Sequence, residues 1–300
     1  MGAIDALKSA VTAMDARVRP WSTRGPLHCA AYEFLLFGLK QGWSSLFGGL
    51  MLGLLVTTHY LYPDRTPVAR YDVLVLAALA IQAALLWLKL ETWEEAAVIF
   101  VFHVVGTCME LFKTAHGSWI YPEPSLLRVG GVPLFTGFMY GCVGSYMARA
   151  QRLFDIHFDR QVPAWAMWVL AIGAYANFFS DSYGFDFRWL LIAWSAVVFG
   201  RLSFWYRPDE RFLKMPMLLG FVLVALFIWI AENLGTNAHA WIYPSQRDGW
   251  RMVSPIKMVS WYLLMMLSFV LVCAVRRPPI SRDRPRVDEE RFARFQPVHR

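Results

Sequence analysis

Long apolar runs separated by short polar segments dominate the chain. About 20 helical residues cross the roughly 30 Å hydrocarbon core of a bilayer, and several runs approach that length. The pattern predicts transmembrane helices at residues 42–62, 71–90, 93–112, 129–150, 162–180, 187–206, 214–234 and 253–275. The fourth run is the least apolar and the third starts with Glu94 and Glu95, so seven spans is the alternative to eight. The predicted fold class is all-α, a polytopic membrane helical bundle.

A polar and aromatic segment that follows two of these runs is repeated. Residues 110–122 read ELFKTAHGSWIYP and residues 232–244 read ENLGTNAHAWIYP, an offset of 122 positions. Between residues 110 and 140, eight of 31 positions match without an insertion, where chance predicts about two. The repeat predicts two units of four helices. Because four crossings return the chain to the same side, the two units are expected to be parallel, about a pseudo-two-fold axis along the membrane normal.

The predicted organisation has four segments. They are a cytoplasmic amphipathic N-terminal segment (1–41), a first four-helix repeat (42–150), a second (151–275) and a basic disordered cytoplasmic tail (276–300). With eight spans and an inside N-terminus, 21 of the 29 Lys and Arg residues lie inside. The positive-inside rule therefore favours cytoplasmic N- and C-termini. The N-terminus lacks the compact apolar region and cleavage site of a signal peptide.

Composition supports a membrane protein and excludes several other classes. The chain is 57% hydrophobic and 17% charged, whereas soluble domains average about 45–50% and 25%. The net charge of +7 is distributed as the positive-inside rule requires, so it indicates anionic lipid rather than nucleic acid. No dinucleotide-binding, phosphate-loop or nucleophile-elbow motif occurs. The four cysteines form no CxxC pattern and suggest no disulfide.

Polar residues on one face of the third predicted helix are the first candidates for chemistry. They recur at intervals of four, three and four positions, at His103, Thr107, Glu110 and Thr114. A charge exposed to hydrocarbon costs at least about 2.5–3.5 kcal/mol, so this face is expected to point into the bundle. The repeat adds Glu232 at the equivalent position, and two facing carboxyls would supply an acid and a base.

The other polar and aromatic residues predicted at the outer membrane face complete the candidate site. The candidate catalytic residues are Glu110, Glu232, His103 as a proton relay, and Lys113. The candidate substrate-binding residues are Thr114, Trp119, Tyr121, Thr236, Trp241, Tyr243, His59 and Asp181. The alternative for the aromatic residues is an interfacial belt, and the alternative for Glu110 is an ion pair with Lys113 one turn away.

Metal binding is a competing interpretation of the same polar groups. The potential ligands are His59, Glu110, His116, Asp181, Glu232 and His239. Their residue types suit a transition metal, but they form no HExxH motif or tight histidine cluster. We therefore assign no metal ligands, and the sequence identifies no cofactor.

Two segments carry a resemblance to a known family. HVVGTCMELFKTAHGSWIYPE (103–123) and the following VGGVPLFTGFMYG resemble the YoaT-like family of bacterial integral membrane proteins, a domain of unknown function. The resemblance covers roughly residues 30–275 and implies a bacterial inner (plasma) membrane protein. A weaker likeness, through Glu110, Gly117, Trp119, Tyr121 and Pro133, is to carotenoid hydratases and small lycopene cyclases.

Three functions are compatible with these features. The first is a membrane-embedded enzyme that does acid/base chemistry on a lipophilic substrate, for which the weaker likeness suggests an isoprenoid. The second is a proton- or cation-coupled transporter of a small solute that uses the paired carboxylates. The third is a non-catalytic scaffold whose outer aromatic loops bind a protein. The expected partners are the lipid bilayer and, for the enzyme, a lipophilic small molecule.

Overall fold

The computed structural model describes residues 16–63, 66–275 and 279–285. Most of these residues form α-helices, which pack as one bundle. The helices are α1 (Pro26–Ser44), α2 (Leu46–Leu61), α3 (Arg70–Trp87), α4 (Trp93–Ala115), α5 (Phe135–Leu153), α6 (Ala164–Ser180), α7 (Arg188–Phe199), α8 (Met217–Asn237) and α9 (Ile256–Val275). Single turns of 3₁₀-helix lie at Asp181–Tyr183 and Pro244–Gln246.

Five short strands connect the helices at the two ends of the bundle. The strands are β1 (Arg128–Val129), β2 (Val132–Pro133), β3 (His157–Phe158), β4 (Ser203–Tyr206) and β5 (Leu213–Pro216). The first two form an antiparallel hairpin, and the other three form an antiparallel sheet in the order β3-β4-β5. The hairpin lies at the end of the bundle where α4 finishes and α5 begins, next to the duplicated motif.

Apolar side chains cover the outside of the bundle. Phe34 is 76% exposed, Trp93 79% and Phe227 71%, and contiguous apolar surface of this kind marks membrane contact. By length and composition, α3, α4, α8 and α9 can each cross a membrane. The pair α1 and α2, bent by 70°, adds a fifth span if the two helices cross together. The chain is therefore a helical multi-pass membrane protein, as predicted, while the count of eight spans stays a prediction.

Two predicted helix boundaries need correction. The run 187–206 is wrong as one helix, because α7 ends at Phe199 and the residues from 203 pair with β5. The run 129–150 becomes helical only from residue 135, since Gly130 and Gly131, with φ of +55° and +85°, form the two-residue turn of the hairpin. Residues 26–41 of the predicted N-terminal segment form most of α1, and the assignment of 1–41 as a separate cytoplasmic segment stays a prediction. The N-terminal 15 residues and most of the predicted tail lie outside the described residues.

The start of α4 follows from its local sequence. Thr92 is the N-cap, and its hydroxyl accepts a hydrogen bond from the Glu95 amide at 3.2 Å. The Glu95 carboxylate accepts one in return from the Thr92 amide at 3.0 Å. This capping box satisfies two amides that the first helical turn leaves without partners. The capping box fixes where α4 begins, and Glu110 lies near the other end of this helix.

Glycines allow α4 and α5 to approach closely. A Cβ atom on Gly106 would lie 2.5 Å from Cγ of Tyr140, and one on Gly137 would lie 2.4 Å from Nδ1 of His103. Small residues at such contacts let membrane helices pack backbone against backbone. The close approach brings the hydroxyl of Tyr140 to the Glu110 carboxylate.

Candidate functional site

The Glu110 carboxylate is buried and accepts three hydrogen bonds. The indole of Trp119 donates to Oε2 at 2.7 Å, and the Tyr121 hydroxyl donates to the same oxygen. The Tyr140 hydroxyl donates to Oε1 at 2.8 Å. Burial, and then the nearby carboxylate of Glu110, hold the pKa of Tyr121 well above its ordinary value, so this phenol keeps its proton and donates. The predicted ion pair of Glu110 with Lys113 is absent among the described contacts.

Glu232 occupies the equivalent position in the second half and is also buried. Its carboxylate accepts hydrogen bonds from the Tyr243 hydroxyl and from the indole of Trp261. Each glutamate is therefore bonded to the tyrosine 11 positions further along its own motif. The remaining donors differ between the halves, since Tyr140 and Trp119 serve Glu110 while Trp261 serves Glu232.

The two motifs meet directly. Ile120 and Ile242, which are equivalent residues 122 positions apart, form an antiparallel bridge with N···O distances of 3.0 and 2.9 Å. The rings of Trp119 and Tyr243 contact edge to face, with centroids 5.9 Å apart. Trp119 donates a hydrogen bond to Glu110 and Tyr243 donates one to Glu232, so this ring contact links the two carboxylates. The two glutamates thus belong to one cluster, which we call the carboxylate cluster: Glu110, Glu232, Trp119, Tyr121, Tyr140, Tyr243 and Trp261.

The first turn of α3 connects both motif loops. The guanidinium of Arg70 donates to the carbonyl oxygen of Ala238 at 3.1 Å and pairs with the Glu123 carboxylate at 2.9 Å. Tyr71 donates to the carbonyl oxygen of Ala240 at 3.0 Å. Asp72 accepts hydrogen bonds from the backbone amides of Leu126 and Leu127. Residues 70–72 therefore anchor the loops that present Tyr121 and Tyr243.

Replacing Arg70 with Met is expected to loosen both motif loops. A hydrogen bond to a charged group contributes about 1.5–3 kcal/mol, so amide exchange near Ile120 and Ile242 should rise about 10- to 100-fold. Hydrogen–deuterium exchange of the purified protein measures this change. Arg128→Met is the matched control, because the Arg128 side chain contacts only carbonyl and hydroxyl oxygens of its own loop. Equal exchange in the two variants would contradict the anchoring role.

Four other predicted residues bond no carboxylate in the described contacts. The His103 ring packs on Phe138, with centroids 4.4 Å apart, and its Nδ1 has no described partner. The Thr114 hydroxyl is buried and also lacks a described partner. Thr236 accepts from Trp250 at 3.2 Å. Trp241 packs against Gly235, where a Cβ atom would lie 2.4 Å from the ring.

The remaining predicted residues form two groups beside the cluster. Lys113 donates to Ser182 at 2.8 Å and pairs with Asp181 at 3.5 Å. His59 stacks on His239, with ring centroids 5.0 Å apart. Within the described residues, no three His, Cys, Asp or Glu side chains converge as metal ligands would. The competing metal interpretation thus lacks a geometric basis in this part of the chain.

Sequence reasoning missed three residues of this region. Tyr140 matches Tyr262 at the offset of 122 and was not among the candidate site residues, although it bonds Glu110. Trp261 has no counterpart in the motif. The Nζ atom of Lys257 lies 4.8 Å from the ring centroid of Tyr243 and 5.9 Å from that of Trp119. The offset of 122 relates Lys257 to Phe135, so the repeat could not indicate it. The position of Lys257, two residues after Pro255 at the start of a predicted helix, was the available signal.

A narrow apolar cleft lies beneath Tyr140, between α4, α5 and α9. Its free volume is about 10 Å³, room for about one water molecule. Its lining includes Phe102, Val105, Met109, Tyr140, Leu264 and Leu267. Since Tyr140 bonds Glu110, the same side chain contacts both the cleft and the carboxylate cluster.

Comparison with known proteins identifies the family. A family model described as a protein of unknown function (DUF817) matches residues 33–269. The uncharacterized protein YoaT of Bacillus subtilis (strain 168) is 36% identical over 248 residues, which are 83% of this chain and 93% of that protein. A crystal structure of the mycobacterial Insig homolog MvINS from Mycobacterium vanbaalenii aligns with 63% of this chain and 98% of its own, at 14% identity and a TM-score of 0.46.

The family match and the YoaT relative together cover the helical bundle and both copies of the motif. They confirm the YoaT-like resemblance, whereas the likeness to carotenoid hydratases and small lycopene cyclases stays a prediction from the sequence. The chain therefore belongs to the DUF817 family.

Proposed function

We propose that this protein is a membrane-embedded enzyme that transfers a proton to or from a lipophilic substrate. The observation that carries the proposal is the carboxylate cluster, in which two buried glutamates and their donor tyrosines meet in one place beside an apolar cleft. Buried carboxyls inside a membrane bundle are costly, and such residues are functional more often than structural. The cleft has an apolar lining, as the binding of an acyl or isoprenoid chain requires. The lining side chains must move apart to admit such a chain.

Glu110 is the principal acid/base in this proposal. Its Oε1 bonds the Tyr140 hydroxyl at 2.8 Å, and Tyr140 also lines the cleft. A proton can therefore pass between Glu110 and a substrate in the cleft through the phenol oxygen. Glu232 is the second carboxyl of the pair, and Trp119, Tyr121, Trp241 and Tyr243 wall the site.

The other predicted residues have supporting roles. Lys113 and Asp181 form an ion pair at the edge of the cluster, and Thr114, Thr236 and His59 are further wall residues. His103 lies two helical turns from Glu110 on α4, and the described contacts do not link the two side chains. Tyr140 is therefore the better supported proton relay.

We also propose the orientation and internal symmetry that the sequence predicts. Two four-helix repeats (42–150 and 151–275) in the bacterial inner membrane, with both termini in the cytoplasm, place the carboxylate cluster at the outer face. The bridge between equivalent residues Ile120 and Ile242 supports the two-fold relation, since a two-fold axis brings equivalent residues together in antiparallel pairs. The distribution of Lys and Arg supports the orientation.

The apolar character of α4 and α8 away from the cluster favours an enzyme over a transporter. Residues 96–102 of α4 read AAVIFVF and residues 218–228 of α8 read LLGFVLVALFI. A transport pathway needs polar groups that lead through the membrane. A pocket reached from one side needs none in these halves.

Lipid and pigment profiling of a deletion strain tests the proposal. The strain is complemented with the wild type, Glu110→Gln or Glu232→Gln, each quantified in the membrane fraction. We expect the wild type to restore the lipid profile and Glu110→Gln to leave it as in the deletion strain, because the amide cannot exchange the catalytic proton. Glu210→Gln, which changes an exposed carboxyl outside the cluster that pairs with Arg19, is the control.

Two outcomes would contradict the proposed enzymatic function. An unchanged lipid profile in the deletion strain, with solute uptake lost in the two cluster variants, would indicate the transporter. Full complementation by both cluster variants would mean that the carboxylates are structural.

A further inference from the structure

The ammonium group of Lys257 lies where the two halves of the carboxylate cluster join. Its two aromatic neighbours are Tyr243 and Trp119, and these donate hydrogen bonds to Glu232 and Glu110 respectively. Aromatic faces attract a cation without using its N–H donors. The two rings therefore hold the ammonium in place and leave its donors available.

The Lys257 ammonium has no hydrogen bond or ion pair with any atom of the described residues. This distinguishes it from the cations nearby, because Lys113 and Arg188 both pair with Asp181. An ammonium carries three donors, and removing them from water without acceptors is unfavourable. A half-buried lysine held in this way is suited to bind the oxygen of a ligand.

The charges around Lys257 determine whether an anionic or a neutral oxygen ligand can bind there. The region already holds four acidic groups, Glu110, Glu232, Asp181 and Asp186, against the three cations Lys113, Arg188 and Lys257. A phosphate would add negative charge beside two buried carboxylates, and like charges at short range repel strongly in a low dielectric. A neutral carbonyl oxygen accepts the same hydrogen bond without that cost.

Resting on the proposed function, we infer that Lys257 binds the carbonyl oxygen of a lipophilic substrate whose proton Glu110 removes next to that carbonyl. The C–H bond breaks and its proton passes to the Tyr140 oxygen, while the Tyr140 hydroxyl gives its own proton to the Glu110 carboxylate. The electron pair forms a C=C bond as the carbonyl becomes an enolate, whose oxygen the ammonium stabilises. Return of the proton to the carbon next to the carbonyl restores the carbonyl compound, so no further reactant is needed.

Infrared spectroscopy of the purified protein in nanodiscs tests the binding step. The probe is 2-dodecanone with a ¹³C-labelled carbonyl, and the variants are Lys257→Met, Lys257→Arg and the control Lys214→Met. Lys214 also lies over an aromatic ring, that of Trp205 at 5.2 Å, but outside the cluster. We expect a carbonyl band shifted to lower wavenumber in the wild type, Lys257→Arg and Lys214→Met. Lys257→Met should lose that band and bind the probe about 10- to 100-fold more weakly.

Deuterium uptake by the same probe in D₂O separates the inference from the proposed function. Glu110→Gln is expected to keep the shifted band and to lose the exchange of protons next to the carbonyl. A shifted band that persists in Lys257→Met, or that the wild type lacks, would overturn the assignment of Lys257. Exchange that survives in Glu110→Gln would instead count against the proposed acid/base role. Matching thermal unfolding of the Lys257 variants excludes misfolding as the cause.

Discussion

Tyr140→Phe is expected to lower turnover about 10²- to 10⁴-fold, the usual contribution of a positioned acid/base group. The change removes only the hydroxyl that bonds Glu110 at 2.8 Å and leaves the ring in its contact with Gly106. Complementation of the deletion strain measures the effect as the rate at which the wild-type lipid profile returns. The protein level in the membrane should stay unchanged.

Tyr262→Phe is the matched control for this prediction. Tyr262 is the repeat counterpart of Tyr140, but its hydroxyl bonds Ser195 at 3.0 Å and no carboxylate. We expect close to wild-type turnover and a loss of about 1 kcal/mol in unfolding free energy at most. Equal turnover in the two Phe variants would show that the Tyr140 hydroxyl takes no part in the reaction.

Arg149→Met is expected to reduce the free energy of unfolding by about 3–5 kcal/mol, the cost of leaving a buried charge without its partner. Arg149 and Glu91 are both fully buried and lie 3.2 Å apart at the end of the bundle opposite the carboxylate cluster. Glu91 also accepts hydrogen bonds from Gln82 and Ser145. Unfolding in mixed micelles of increasing denaturing detergent measures the change.

A double-mutant cycle isolates the ion pair from lost packing. Arg149→Met combined with Glu91→Leu should cost clearly less than the sum of the single changes, because neither charge remains uncompensated. Arg19→Met is the comparison at the surface, where the arginine pairs with Glu210 and both side chains are exposed. That change should cost about 0–1 kcal/mol. Additive single effects would mean that the buried pair contributes little.

The positions of the long helices were the feature of the fold that the sequence predicted best. Helices α3, α4, α8 and α9 lie within or near predicted apolar runs, because membrane crossing imposes a minimum length of apolar helix that is visible in a single sequence. The prediction of one helix over 187–206 was wrong because the apolar residues continue from α7 into β4, the central strand of the three-stranded sheet. Strand pairing with residues 213–216 depends on a distant segment, which no local pattern reports.

The sequence predicted the two carboxylates of the candidate site, but it predicted fewer of the side chains that donate hydrogen bonds to them. The repeat identified Glu110 with Tyr121 and Glu232 with Tyr243, and both pairs are hydrogen-bonded in the structure. The tryptophans of the repeat differ. In the second motif, Trp241 packs against Gly235, which has no side chain. In the first motif, the position equivalent to Gly235 is Lys113, and the equivalent tryptophan, Trp119, bonds Glu110.

The sequence by itself determined that the chain is a membrane bundle and that Glu-x₁₀-Tyr occurs twice, since both depend on spacing along one chain. Only the tertiary structure decided which further side chains donate hydrogen bonds to the two carboxylates. Gly106 lets Tyr140 reach Glu110, while the equivalent position in α8 is Ile228. Ile228 carries a side chain where Gly106 has none, and Trp261 rather than Tyr262 bonds Glu232. Helix approach is set by side chains of two segments together, so similar motifs acquire different partners.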